Sequence, residues 1–258
     1  MNWKNTFDWK RLIHLIKNEI VGAYRSLLVT AGAVAGILLV IYLLQMTGHN
    51  PGDFLQVWYF LILFVGGFLV SSKIFSPIHD RRQNYIYLTL PASNTEKFVS
   101  KLLLSSIGWV IGATVCYVLF SIVAMAVSQL IWEDSMGIFS PFRADYLTGI
   151  AAYLVLQSIF VFGSVYFKKN ALAKTVGSMF LFGLSLALLS GLFARIIFAK
   201  FIPWNGSWNV NFDNCFYQFA NIKTFFEVFA EVMKYSFWIL LAPYFWILSL
   251  IRLKETEV

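Results

Sequence analysis

The chain has 258 residues, of which 59% are hydrophobic and only 13% charged, against roughly 25% charged in a soluble domain. Its mean hydropathy is +0.70, which excludes an ordinary soluble domain and predicts one all-α, polytopic transmembrane domain over residues 1–258. The formal charge is +7, but the cations flank apolar runs, so membrane lipids and topology account for them and no nucleic-acid partner is expected.

The opening residues lack the charged start, apolar core and cleavage site of a secretory signal. Residues 5–25 instead predict an amphipathic helix. Trp9, Leu12, Ile13, Ile16, Ile20 and Tyr24 share one face at helical spacing. Lys10, Arg11, His14, Lys17 and Asn18 lie opposite. A helix with Trp on one side and cations on the other is expected to lie in the membrane interface.

Six spans are predicted at about 27–46, 55–72, 102–130, 146–167, 175–199 and 233–251, each near the roughly 20 residues a bilayer needs. Residues 73–101 form the main polar interruption of the first half. They carry Lys73, Arg81, Arg82, Lys97 and Lys101 against Asp80 and Glu96. Pro91 separates a short helix expected over Asp80–Leu90 from the start of the third span. Ser93-Asn94-Thr95-Glu96 reads as a capping box directly before an apolar run.

With the N-terminus inside, fifteen of the twenty Lys and Arg residues fall on inner segments and five on outer ones. The positive-inside rule then predicts that both termini are cytoplasmic. The outer loop before the sixth span carries Trp204, Trp208, Phe212, Phe216, Tyr217, Phe219, Phe225, Phe226 and Phe229. Such aromatic density favours the interface, and residues 216–232 are a candidate helix that dips into the outer leaflet. An aromatic belt anchoring the sixth helix is the alternative.

Function classes are narrowed by what the spans lack. No Asp or Glu falls near mid-membrane, where ion-coupled carriers and intramembrane hydrolases need such groups. His14, His49 and His79 are scattered and form no metal-ligand pair. Cys116 and Cys215 belong to no C-x-x-C pattern. No phosphate loop occurs, so energy for any uphill transport must come from another chain. No catalytic, cofactor or metal residues are assigned, and the chain is not expected to be an enzyme by itself. Gly32/Gly36 and Gly108/Gly112 are small-xxx-small pairs, candidate positions for close helix packing.

The order of parts resembles the membrane subunit of ABC transporters of the second, exporter-type permease family. Asp80-Arg81-Arg82 leads through aliphatic residues to Leu90-Pro91-Ala92-Ser93 and Lys97 before the third span, which is similar to that family's loop after span two. Phe7-Asp8-Trp9-Lys10-Arg11-Leu12 through Lys17-Asn18-Glu19 is similar to its opening helix. Asn84-Tyr85 stands where the family more often has Gly-Thr, and the size and wording look most like permeases from Bacteroidetes. The resemblance implies a multi-pass protein of the bacterial cytoplasmic (inner) membrane, paired with a second permease subunit. It implies that Asp80, Arg81, Arg82, Gln83, Tyr85, Ile86, Tyr87 and Leu88 form a coupling helix against an ABC ATPase subunit, where ATP and Mg bind. The resemblance also implies a path along the first, second and fifth spans. A non-transporting scaffold or sensor that anchors a cytoplasmic partner is the alternative.

Overall fold

The structure is a computed structural model that describes residues 7–46, 54–79, 92–132, 139–197 and 220–256. All regular structure among them is helical, and six helices are long and apolar enough to cross a membrane. Helix α1 is Trp9–Met46. Helix α2 comprises Phe54–Leu61, a π-helical turn Ile62–Gly66 and Gly67–Lys73; a short helix, Ser76–His79, comes directly after it. Helix α3 comprises Asn94–Leu103, a second π-helical turn Leu104–Gly108 and Trp109–Trp132. Helices α4, α5 and α6 are Ala144–Tyr166, Ala171–Ile197 and Ala220–Thr256.

Two expected boundaries are corrected. No break separates an interfacial helix from the first span: α1 is continuous over 38 residues. No proline interrupts it, and Gly22 costs only about 1 kcal/mol relative to Ala, too little to end a long helix. At a rise of 1.5 Å per residue, α1 is roughly 57 Å long, nearly twice the hydrocarbon thickness of about 30 Å. Likewise, no break at 232/233 divides a dipping helix from the sixth span, because α6 is continuous over 37 residues. Its Pro243 lies inside the helix, a position that membrane helices tolerate. Residues 198–219, with most of the aromatic outer loop, and the coupling helix expected over Asp80–Leu90 lie outside the described residues.

Helix α4 is central. Half of its most apolar window is buried, whereas none of the corresponding window of α5 is. Its inward positions are unusually polar for a membrane helix: Gln157, Ser158 and Ser164 are buried beside Tyr153, Phe160, Val161 and Val165. The serines donate to carbonyls of their own turn, as Ser158 Oγ does to Val155 O at 2.6 Å. That closes their hydrogen bonds without a partner helix and lets small side chains sit at the contacts.

The two π-helical turns face this centre, and ring donors serve their carbonyls. Trp109 Nε1 donates to Leu63 O at 3.1 Å. Tyr153 Oη donates to Ser105 O at 3.0 Å, and Gln157 Nε2 donates to Ser105 Oγ at 2.9 Å. A π turn loosens the regular ladder, and in an apolar bundle an unserved carbonyl costs several kcal/mol. Gly66 and Gly67 make the approach possible: a Cβ on Gly66 would run into the Trp109 ring, and one on Gly67 into Tyr153. Phe60 covers Gly149, and Thr175 covers Gly163, in the same way. By contrast, a Cβ on Gly32, Gly36 or Gly112 would meet nothing within 4 Å, and on Gly108 only the backbone and side chain of its own helix. Among the described residues, the predicted pairs therefore make no close contact with another helix.

Two clusters close the ends of the bundle. At one end Tyr59 is surrounded by the rings of Phe60, Tyr117, Phe139 and Tyr146, with centroids 4.8–5.7 Å away. At the other, Phe75, Ile78, Phe98, Val161, Val165 and Leu253 are buried together.

Candidate functional site: the junction flanking residues 80–91

The second cluster joins pieces that are far apart in sequence. Phe75 lies just before the 80–91 connection and Phe98 just after it. Their rings stack at 5.7 Å and 15°. Val161 and Val165 from the end of α4, and Leu253 from the end of α6, complete the core. Both flanks of the connection thus enter one apolar core, which fixes the two points where it leaves and rejoins the bundle.

The returning flank is built on Glu96. Ser93 Oγ accepts the Glu96 N–H at 3.2 Å, and Glu96 Oε2 accepts the Ser93 N–H at 2.8 Å. This is the predicted capping box, formed reciprocally. It also does something a local motif does not require. Glu96 is fully buried, and its Oε1 accepts the backbone N–H of Asp8 at 2.6 Å. Arg11 Nη2 lies 3.5 Å from the same oxygen, and Arg11 Nε lies 3.7 Å from Asp8 Oδ2. One carboxylate therefore caps the start of α3 and holds the start of α1. Five residues past Glu96, Lys101 Nζ meets Glu19 Oε1 at 3.2 Å.

The departing flank is tied separately. His79 Nε2 lies 3.2 Å from Ser164 O. A carbonyl only accepts, so Nε2 carries the proton and donates. The short helix Ser76–His79 is thereby fastened to the end of α4. Nearby, the Arg252 guanidinium lies 5.6 Å from the centre of the Tyr166 ring, which brings the end of α6 to the same place.

The expected interfacial stripe divides here. Leu12 is buried and Ile16 half-buried, whereas Trp9, Ile13, Ile20 and Tyr24 are exposed along the bundle. The inward face of α1 is instead Arg11, Leu12, Ile16 and Glu19, with Asp8 just before the helix tied to Glu96 through its backbone N–H. Glu96 and Arg11 were legible only as a cap and as part of a polar face. A signal for the rest existed: Asp8 and Glu19 are the only acids in the first 52 residues. Eleven residues is about three turns, so they share one face.

Asp80, Arg81, Arg82, Gln83, Tyr85, Ile86, Tyr87 and Leu88 lie outside the described residues. Among the described residues no group of three or more His, Cys, Asp or Glu side chains converges. Chemically, the junction is a mechanical joint: buried rings, a shared carboxylate and donor–acceptor ties between helix ends.

The fold and the six apolar helices define a multi-pass, all-helical membrane protein. Comparison of the chain with protein-family models, curated proteins and solved structures found no significant match.

Proposed function

We propose that this chain is the permease subunit of an ATP-driven ABC exporter, powered by separate ATPase subunits docked on residues 73–101 at the cytoplasmic face of a bacterial inner membrane. It works as a dimer with an identical or different permease. ATP and Mg belong to the ATPase partner, and this chain performs no reaction of its own.

The observation that carries this reading is the double anchoring of the 80–91 connection. One flank enters the core through Phe75 and His79, the other through Phe98 and Glu96. Motion of a cytoplasmic ATPase reaches a membrane helix only through a contact stiff enough to carry it. A connection that merely set topology would need no such anchoring of both ends. The tie from Glu96 to Asp8 extends the same joint to α1, so a push on the connection bears on α1, α3 and α4 together.

Purification of the tagged protein from its native membrane in mild detergent tests the class. A stoichiometric partner with a phosphate-loop motif, whose ATP turnover changes when this chain is present, is the expected result. A partner without a nucleotide site would establish the scaffold or sensor alternative. The combined substitution Arg81→Ala, Arg82→Ala and Tyr85→Ala should abolish assembly or stimulated turnover while leaving the thermal transition of the isolated subunit unchanged. Unaltered assembly and turnover would remove the coupling role from these residues.

A further inference from the structure

A small polar cluster lies where α2, α3 and α4 meet. Tyr153 and Gln157 are one helical turn apart on α4, so their side chains share a face. The helix runs from Ala144 to Tyr166, which places both residues near mid-span. Both reach Ser105 in the π-helical turn of α3: Tyr153 Oη donates to Ser105 O at 3.0 Å, and Gln157 Nε2 donates to Ser105 Oγ at 2.9 Å. From α2, Gly67 brings its backbone against the Tyr153 hydroxyl, where a Cβ would collide with it. Ser71, one turn further on, sets its own hydroxyl beside Tyr153 Oη. Ser71, Ser105, Tyr153 and Gln157 are all fully buried.

Two atoms of this cluster close no hydrogen bond with another protein group: Ser71 Oγ and Gln157 Oε1. Ser71 is out of character. Every other buried serine among the described residues uses its hydroxyl, as Ser72 does on Leu69 O, Ser158 on Val155 O and Ser164 on Val161 O. Gln157 spends its NH2 on Ser105, while its carbonyl oxygen, which can only accept, has no donor. Turning the amide over would strand the NH2 in its place. The stretches that build the cluster, 54–72, 102–131 and 146–167, contain no charged residue, so no ion pair within them absorbs either atom. Buried polar groups are nearly always paired, with protein or with ordered water, and inside a membrane bundle an unserved one is costly.

We infer that this cluster binds a water molecule within the membrane, held between Ser71, Tyr153 and Gln157. The count of donors and acceptors closes. The water accepts from the Ser71 hydroxyl. It donates to Gln157 Oε1 and to Tyr153 Oη, whose own proton is already given to Ser105 O. Three partners is about the number a buried water makes. Such a water ties α2 to α4 beside the π-helical turns of α2 and α3, where the regular backbone ladder is loosened. The site rests on buried hydrogen bonding alone and stands whether or not the chain moves cargo.

The test is brief X-ray radiolysis of the full-length protein in detergent, in water enriched in heavy oxygen, with the labelled residues read by mass spectrometry. Radiolysis of a bound water yields a hydroxyl radical that oxidises a ring beside it. Tyr153 should therefore take up label severalfold faster than Tyr59 and Tyr117, which are also buried but whose hydroxyls face Thr114 Oγ1 and Leu55 O. Ser71→Ala should slow the labelling of Tyr153 and lower the thermal midpoint by roughly 2–4 °C. Were the Ser71 hydroxyl simply unserved, deleting it would raise the midpoint instead. If Ser71→Ala folds poorly, the labelling ratio in the unsubstituted protein still decides. Labelling of Tyr153 no faster than that of Tyr59, or a midpoint raised by Ser71→Ala, would overturn the site. So would a midpoint raised by sodium or potassium chloride over choline chloride, with the rise lost in Ser71→Ala, because a cation would then stand in place of the water.

Discussion

The two ends of this bundle are closed by opposite means. Around Tyr59 the closure is aromatic. Five rings pack edge to face or tilted, and the hydroxyls are absorbed locally: Tyr59 Oη pairs with Thr114 Oγ1 at 3.0 Å, and Tyr117 Oη donates to Leu55 O at 2.8 Å. At the junction the closure is a small apolar core overlaid by a shared carboxylate. The first kind of closure depends on many contacts, none of them directional enough to be switched by one proton or one partner. The second hangs several helix ends on one side chain. One end is thus held by many ring contacts, and the other by ties that are few and specific.

That contrast can be broken or sharpened by substitution. The largest effect is expected from Tyr59→Ala, which deletes a fully buried ring; loss of a large core aromatic costs about 3–5 kcal/mol. The thermal transition in detergent should fall as a whole, with hydrogen exchange rising in α2, α3 and α4 together. Glu96→Ala is the corresponding cut at the junction. It removes the acceptor of two backbone N–H groups and the partner of Arg11, an expected loss of about 2–3 kcal/mol. Here hydrogen exchange should rise over residues 8–20 and 94–101 while the Tyr59 end keeps its protection. Uniform exchange throughout would mean that the two ends are not independent. The smallest effect should come from Glu19→Gln, which opens the pair between the buried Lys101 and the partly exposed Glu19; because Gln keeps a polar side chain beside the ammonium, the loss should be about 1 kcal/mol. That loss should shrink at high salt, through the exposed side of Glu19, whereas the Glu96→Ala loss should not change.

The capping box at Ser93–Glu96 was legible because all of its partners lie within four residues. The second use of Glu96 was not, because Asp8 is 88 positions away and no local spacing encodes that meeting. The glycines divide in the same way. Spacing singled out Gly32, Gly36, Gly108 and Gly112, but among the described residues the tight contacts fall at Gly66, Gly67, Gly149 and Gly163. A glycine matters where a ring from another helix arrives, and a four-residue repeat carries no information about that ring.

By itself, then, the sequence determined the number and approximate place of the six apolar helices, because transfer into a bilayer depends on local composition over about 20 residues. It also determined the start of α3, because a capping box is a local hydrogen-bond exchange. Only the tertiary structure decided where α1 and α6 are continuous, since periodicity describes a face and not an end when no breaker is present. The tertiary structure alone also brought Asp8, His79, Glu96, Ser164 and Leu253 into one joint. Those contacts depend on how whole helices pack, a choice made by buried shape and by satisfying each buried polar group, not by any stretch of sequence read alone.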